Sequence, residues 1–290
     1  MSIVGIVGRS KEPLGVIDLM IGFPSPERRA KYEFAGLKDA GSSDLEMPAG
    51  FLFGDIPDES ADVQAAIDTT IGAMDSFDIE QGLFALDEVA LEARKLHRKR
   101  VNLIINVDPH AGATELQRIR DIHAEHGLAA IGVFQAGLMP RRSIADALLY
   151  PFHALAVELG LPLVANAGVP GPRFPMDEQH VRHVDDVCYD FPDLQLVMRH
   201  GAEPWQALAV KLMLKWPNLS YATSAFAPRY YPTEIIDFAN TRGGDQIMYA
   251  GYYPMALTLE RIFAELDDVG FRDDVWPRFL RTNAVRVFGL

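Results

Sequence analysis

The sequence predicts an α/β protein in which eight parallel strands close into a (β/α)8 barrel. From Asp62 onward, short apolar runs alternate with longer segments whose apolar residues recur at helical spacing. This alternation is typical of parallel strands that are covered by helices on both faces. Eight strands can be counted from Gly15, and 290 residues are enough for one barrel. An open doubly wound sheet is the alternative, but the sequence lacks the glycine-rich dinucleotide turn expected after its first strand.

The predicted elements follow one another as strand and helix after a long insertion. The strands are short apolar runs bounded by turn residues, at 15–21, 81–86, 101–107, 129–134, 161–165, 194–198, 219–222 and 246–249. The helices have apolar residues on one face, at 61–77, 87–100, 114–126, 144–159, 177–189, 204–215, 232–240, 257–266 and 275–288. A further β-rich run, 3–7, precedes the barrel, and residues 24–60 form an irregular insertion after the first barrel strand. Loops of this length inside a domain tend to be functional.

Composition excludes several classes of protein. The net charge of −13 disfavours binding to nucleic acid or to an anionic membrane surface. A single cysteine, Cys188, rules out an intrachain disulfide framework and a cysteine-rich metal cage. The sequence shows no signal-peptide pattern and no apolar run approaching the roughly 20 residues that span a bilayer. We therefore expect one cytoplasmic domain, residues 1–290, that acts on a small molecule.

Sequence motifs at the strand ends resemble those of a known family. They are Val16-Ile17-Asp18, Leu161-Pro162-Leu163-Val164, Phe191-Pro192-Asp193-Leu194 leading to His200-Gly201, Ala250-Gly251-Tyr252-Tyr253-Pro254 and Thr282-Asn283-Ala284-Val285-Arg286-Val287-Phe288. Their order and spacing resemble the amidohydrolase-related family, over roughly residues 14–290. That family contains aminocarboxymuconate-semialdehyde decarboxylase, resorcylate-type decarboxylases and a pyrone-dicarboxylate lactonase. The resemblance implies a barrel enzyme of hydrolase or decarboxylase type.

The resemblance also implies a metal site, and this chain departs from it. Metal-dependent members carry Asp-x-His-x-His on the first strand, a histidine after each of the fifth and sixth strands, and an aspartate after the eighth. Here the corresponding positions hold Met20, Gly22, Asn166, His200 and Tyr252. A catalytic zinc needs three protein ligands, so we predict no metal and no other cofactor at this site. A site built from His110 and His200, with Asp18 or Asp108, is the alternative.

His200 is the central candidate for catalysis, because an imidazole at a strand end titrates near neutral pH and can serve as general acid or base. Asp18 is expected either to orient His200 or act as a second base, or simply to bind backbone amides. Tyr252 and Asn166 are predicted donors to a developing oxyanion. Alternation along the strand predicts that Arg199 points away from His200 and forms a structural ion pair.

The remaining candidates are predicted to contact substrate. Arg173, in the proline-rich loop after the fifth strand, is placed to bind a carboxylate. Gln135, His110 and Ser224 follow the fourth, third and seventh strands and are predicted to contribute hydrogen bonds. Ser224 is not expected to be a nucleophile, since no Gly-x-Ser-x-Gly elbow surrounds it.

These residues favour a metal-independent hydrolase, similar to a lactonase, or a C–C lyase such as a decarboxylase, with a small carboxylated or aromatic substrate. The alternative is an inactive barrel that binds a ligand or partner protein. Apolar residues of the helix at 204–215 can support a homodimer, although in a barrel such residues more often pack on the sheet.

Overall fold

In the computed structural model of the protein, which describes residues 15–24, 37–39, 62–255 and 257–290, eight strands form one parallel sheet in chain order, β1 to β8. They are β1 Val16–Asp18, β2 Ile79–Ala85, β3 Val101–Asn106, β4 Leu128–Val133, β5 Leu163–Asn166, β6 Leu196–Arg199, β7 Leu219–Thr223 and β8 Ile247–Tyr249. The (β/α)8 prediction is confirmed. The predicted run 3–7 and nearly all of the 24–60 insertion lie outside the described residues.

Helices alternate with the strands and cover the outside of the sheet. They are α1 Val63–Ser76, α2 Glu88–Leu96, α3 Ala113–His126, α4 Tyr150–Leu159, α5 His183–Asp190, α6 Gln206–Lys215, α7 Thr233–Thr241, α8 Leu259–Leu266 and α9 Asn283–Phe288, the last preceded by a π-helical turn, Arg278–Thr282. None of the helices in the described ranges is long and apolar enough to cross a membrane.

Local hydrogen bonds explain where several helices begin. The Asp62 and Asp87 carboxylates cap α1 and α2 by accepting from the backbone N–H groups of Ala65 and Ala90. The predicted helix 177–189 begins later, at His183, because Nδ1 of His180 accepts the backbone N–H of Arg182 and holds a turn there.

Side chains of the strands divide between two apolar layers. One set points into the barrel and includes Ile17, Ile104, Val164, Val197 and Met248. The larger set packs between the sheet and the helices. This alternation is the usual filling of a barrel interior, and it determines which strand residues reach the mouth from the inside.

The loops after β5 and β6 are fixed to each other by backbone hydrogen bonds. Ala202 N–H donates to the Ala167 carbonyl at 3.1 Å, and Val169 N–H donates to the Glu203 carbonyl at 2.8 Å. Gly168 lies at the point of closest approach, with φ of +104°, and a Cβ there would lie 2.9 Å from the Glu203 backbone. Only glycine fits this position without displacing the neighbouring loop.

Helix α6 presents both buried and exposed apolar residues. Leu212 packs in the core, whereas Leu208 and Leu214 are exposed. Its inner face therefore packs on the barrel, as such helices usually do, and the homodimer remains a prediction.

We expect Gly168→Ala to destabilise the fold by roughly 2 kcal/mol or more, since the substitution adds a contact with backbone and forces an L-residue into a left-handed conformation. Gly72→Ala is the matched control, because Gly72 lies in α1 with open space around it and the same change there should stabilise by about 1 kcal/mol. Urea unfolding of both variants measures the difference. Equal effects would contradict the assignment of Gly168 as a required close approach.

Candidate active site

Strained backbone concentrates at one end of the barrel. The described residues include five non-glycine residues with positive φ, and four of them, His200, Ala202, Ala225 and Tyr252, follow β6, β7 and β8. Left-handed conformations cost an L-residue roughly 1–2 kcal/mol each. Strain of this kind persists where a surrounding structure requires it, and often marks a functional site. The carboxyl end of the strands is also where barrel enzymes hold their catalytic groups.

His200 is fixed in place by Ser224. The Ser224 hydroxyl accepts the backbone N–H of His200 at 3.2 Å and lies 2.8 Å from Nδ1 of the same residue. Ser224 is fully buried, so this contact orients the imidazole and directs Nε2 away from β7. The structure thus gives Ser224 a contact with His200, whereas the sequence predicted a contact with substrate.

Tyr252 faces the same imidazole. The two rings meet edge to face, with centroids 5.6 Å apart. Burial raises the pKa of Tyr252 to about 12, although the nearby Arg199 guanidinium opposes the shift. The phenol is therefore protonated at neutral pH and can donate a hydrogen bond.

The contacts of Arg199 differ from those that strand alternation predicted. It pairs in register with Asn166 across β5 and β6, two residues after Val197, which points into the barrel. Its Nε donates to Oδ1 of Asn166 at 2.6 Å. The ion pair predicted for Arg199 is not found among the described residues, where its side chain donates to a neutral amide instead. The φ of +73° at His200 ends the strand alternation on which that prediction rested.

The electrostatics of the site follow from this buried cation. Desolvation lowers the pKa of Arg199 to about 10. Desolvation, with a smaller contribution from the Arg199 charge, lowers the pKa of His200 well below its ordinary value. At neutral pH the site therefore contains a neutral imidazole, a neutral phenol and a guanidinium that is still charged.

Asn166 lies at the end of β5 and is held from two sides. Besides the bond from Arg199 to its side chain, its backbone forms two hydrogen bonds with the side-chain amide of Gln135, at 2.9 and 3.2 Å. Gln135 is only 1% exposed. Both polar atoms of Gln135 therefore help to position Asn166.

Two other predicted contacts lie on the rim. Arg173 forms an ion pair with Asp39 at 2.5 Å, in the described part of the insertion after β1. His110 binds the Pro140 carbonyl through Nε2 at 2.7 Å, which links the loops after β3 and β4. The carboxylate that Arg173 binds in this structure belongs to the chain itself.

Asp18 lies at the seam between β1 and β8. Its Oδ1 accepts from the backbone N–H groups of Gly251, at 2.7 Å, and Met20, at 2.9 Å. Its Oδ2 is buried beside the hydroxyl of Tyr249. Tyr249 packs in the layer outside the sheet, so the backbone-binding alternative for Asp18 fits this geometry, and the carboxyl does not reach His200.

Comparison with known proteins places these residues in a family. Residues 45–290 match the sequence profile of the amidohydrolases. The chain belongs to the amidohydrolase family. No curated protein matches the sequence.

Solved structures share the fold at low sequence identity. An uncharacterised TIM-barrel protein from Bordetella bronchiseptica has a TM-score of 0.72 at 18% identity, over 95% of this chain and 99% of that one. The 5-carboxyvanillate decarboxylase of Novosphingobium aromaticivorans has a TM-score of 0.68 at 16% identity, over 97% of each chain. That structure is a complex with manganese and 4-hydroxy-3-methoxy-5-nitrobenzoic acid. The 2,6-dihydroxybenzoate decarboxylase of Rhizobium has a TM-score of 0.65 at 14% identity, over 95% of this chain and 98% of that one.

The donor set of this chain does not fit a metal of the kind found in the manganese complex. Among the described residues, no group of three or more His, Cys, Asp and Glu side chains is arranged to hold a metal ion. His110 and Asp108 lie on the rim with local partners, so they do not complete a site with His200. The positively charged guanidinium of Arg199, which donates to Asn166, would in addition repel a divalent cation bound beside Asn166.

The sequence reasoning gave Arg199 a structural role rather than a part in the chemistry of the site. A signal was present, since arginine directly precedes His200 at the end of a run that is otherwise apolar. A charged residue at such a position costs several kcal/mol when it is buried without a partner, which favours a functional reason for it.

We expect Asp18→Asn to alter the pH dependence of stability. Burial raises the pKa of Asp18 to about 7, from about 3.8. A carboxyl whose folded pKa is raised loses stability as pH rises between the two values, by up to about 4 kcal/mol. Asparagine keeps the acceptor oxygen but cannot ionise, so its melting temperature should exceed that of the wild type near pH 8 and not near pH 4.

Thermal melts at both pH values measure this effect, with Asp268→Asn as the control because Asp268 is exposed. An equal shift for Asp18→Asn at both pH values would contradict a buried, titrating Asp18.

Proposed function

We propose that the protein is a metal-independent hydrolase that cleaves an ester or lactone bond in a small organic substrate. The observation that carries this proposal is the orientation of a neutral His200 by Ser224, opposite the protonated phenol of Tyr252. The two rings are in contact, so a base and a hydrogen-bond donor lie side by side, and hydrolysis of a carbonyl compound needs both groups. Membership of the amidohydrolase family supports an enzyme of this broad type.

In the proposed reaction His200 acts first as a base. With Nδ1–H donating to Ser224, Nε2 carries the lone pair. Nε2 takes a proton from water as the water oxygen attacks the carbonyl carbon, and the carbonyl electron pair moves onto oxygen. The resulting imidazolium then returns the proton to the leaving alkoxide as the carbon–oxygen bond breaks. The low pKa of His200 favours this return of the proton.

The oxyanion formed in this step needs donors that are already in place. The Tyr252 phenol is one, since its raised pKa keeps the proton on oxygen. The Nδ2 group of Asn166 is the second, because Oδ1 is occupied by Arg199 and fixes the orientation of the amide. One donor of this type contributes roughly 10²–10³-fold to the rate of acyl transfer.

A C–C lyase is the second candidate, and it uses the same groups differently. Cleavage of a carboxylate as CO2 leaves an electron pair on carbon, which a protonated Tyr252 or the Nε2–H tautomer of His200 can quench. The supporting observation is that Ser224 can either donate to Nδ1 or accept from it, so both tautomers of His200 are available.

Products separate the two candidates. We expect incubation with a panel of aryl esters, lactones and hydroxybenzoates to give a product that incorporates one oxygen from H₂¹⁸O, as hydrolysis requires, measured by mass spectrometry. Release of CO2 without label in the organic product supports the lyase. Recovery of every compound intact, with one of them raising the melting temperature, supports the inactive ligand-binding barrel.

We expect His200→Asn to abolish turnover of the substrate found in this way, with a loss of roughly 10³-fold or more in kcat. Ser224→Ala should lower kcat by about tenfold while leaving KM nearly unchanged, because Ser224 orients the base without touching substrate. Asp268→Asn is the exposed control. Unchanged kcat in His200→Asn would overturn the proposal.

The pH profile gives an independent test. Because the pKa of His200 lies well below its ordinary value, the basic form is present throughout the neutral range. We expect kcat/KM to remain flat between about pH 6.5 and 8 and to fall only at lower pH. An acidic limb centred near pH 6.5, the ordinary value for histidine, would contradict the buried environment proposed for this base.

A further inference from the structure

We propose that Arg199 and Asn166 form an anion-binding site inside the barrel, which takes a carboxylate of the substrate. This inference rests on the proposed function for the identity of the anion as substrate, but the site itself is argued from the geometry. It replaces the sequence-based assignment of carboxylate binding to Arg173.

The Arg199 guanidinium belongs to the last residue of β6, at the mouth of the barrel. Arg199 follows the inward-facing Val197 on β6, and its partner in register, Asn166, follows the inward-facing Val164 on β5. Part of the Arg199 surface stays exposed. The side chain is therefore accessible from the cavity that also contains His200 and Tyr252.

Arg199 differs from most arginines of the described chain in having no carboxylate partner. Arg100, Arg118 and Arg120, for example, form ion pairs with Asp75, Glu115 and Glu158. Within the described residues no ion pair involves Arg199, and its one hydrogen bond runs from Nε to a neutral amide oxygen. The two terminal nitrogens remain as donors for a ligand.

This arrangement is unfavourable without a ligand. A buried cation loses several kcal/mol of solvation, and a single neutral acceptor recovers little of it. The lowered pKa of Arg199 reflects the same desolvation. A carboxylate that binds the terminal nitrogens in two parallel hydrogen bonds supplies both the missing charge and the geometry that a guanidinium prefers.

Neighbouring groups favour a carboxylate over a cation or a neutral group. The Tyr252 phenol, protonated and close to the guanidinium, carries no negative charge that would oppose an anion. Asp18 lies on the outer side of the seam, bound to backbone amides. Arg173 already binds Asp39 on the rim. The interior therefore presents donors and one positive charge.

Occupation of this site would also act on His200. The Arg199 charge contributes to the lowered pKa of the imidazole. A bound carboxylate offsets that charge, so the imidazole becomes a stronger base when the substrate arrives. Substrates that carry the anion next to the scissile bond would thereby be selected for turnover as well as for binding.

The test uses benzoate as the probe and benzamide as its neutral counterpart, with binding measured by calorimetry on the full chain. We expect the wild type to bind benzoate at least about tenfold more tightly than benzamide, a preference that Arg199→Gln and Arg199→Met should remove. Arg199→Lys should keep part of it, because lysine retains the charge without the planar fork. Arg229→Gln is the matched control, since Arg229 is exposed and paired with Glu265, and it should bind benzoate as the wild type does.

The inference is overturned if the wild type does not distinguish benzoate from benzamide, or if the Arg199→Gln and Arg199→Met variants are folded by circular dichroism and bind benzoate unchanged. Loss of binding in Arg173→Gln alone would return the role to Arg173 and equally overturn it. Because binding needs no turnover, the outcome is separable from the proposed function. Benzoate preference that depends on Arg199 supports the anion site even if no product is formed, whereas turnover of neutral esters with no such preference supports the hydrolase and rejects the anion site.

Discussion

The hydrogen bond from Arg199 to Asn166 is the interaction on which the candidate site depends. It holds a positive charge at the mouth, next to the apolar side chains that fill the barrel interior. Burial, with a smaller contribution from the Arg199 charge, lowers the pKa of His200, and burial also lowers the pKa of Arg199. As a result, a neutral base, His200, lies beside a fixed cation, Arg199, and this pair determines what chemistry the site can perform.

The backbone around the site is organised to keep that arrangement in place. The left-handed turn through His200, Gly201 and Ala202 directs two successive side chains into one cavity. Hydrogen bonds from Ala202 and Val169 to the facing loop lock the turn against the end of β5. The strain is thus balanced by backbone pairing, which is the condition under which strained residues persist at functional sites.

Polar residues at the mouth divide into those that face the cavity and those that build its wall. Gln135 fixes the Asn166 backbone, Ser224 fixes His200, and Asp18 ties the end of β1 to the end of β8. Residues of the second kind are as necessary as those of the first, because a base must be held in a defined orientation to act.

What the sequence by itself determined was the architecture. The spacing of apolar residues predicted eight strands and the helices between them, because side chains repeat every two residues along a strand and every 3.6 residues along a helix. The strand-end motifs indicated the family. The sequence also predicted which residues lie at the mouth, because the carboxyl ends of parallel strands meet at one edge of the sheet.

Only the tertiary structure decided which way those residues point and what they contact. Arg199 was expected to form a structural ion pair and instead donates to the neutral side chain of Asn166, and Arg173, the predicted carboxylate ligand, pairs with Asp39. The physical reason is that strand alternation ends at the first residue with positive φ. Partners such as Asp39 and Arg173 are brought together by chain segments far apart in sequence, which no local pattern records.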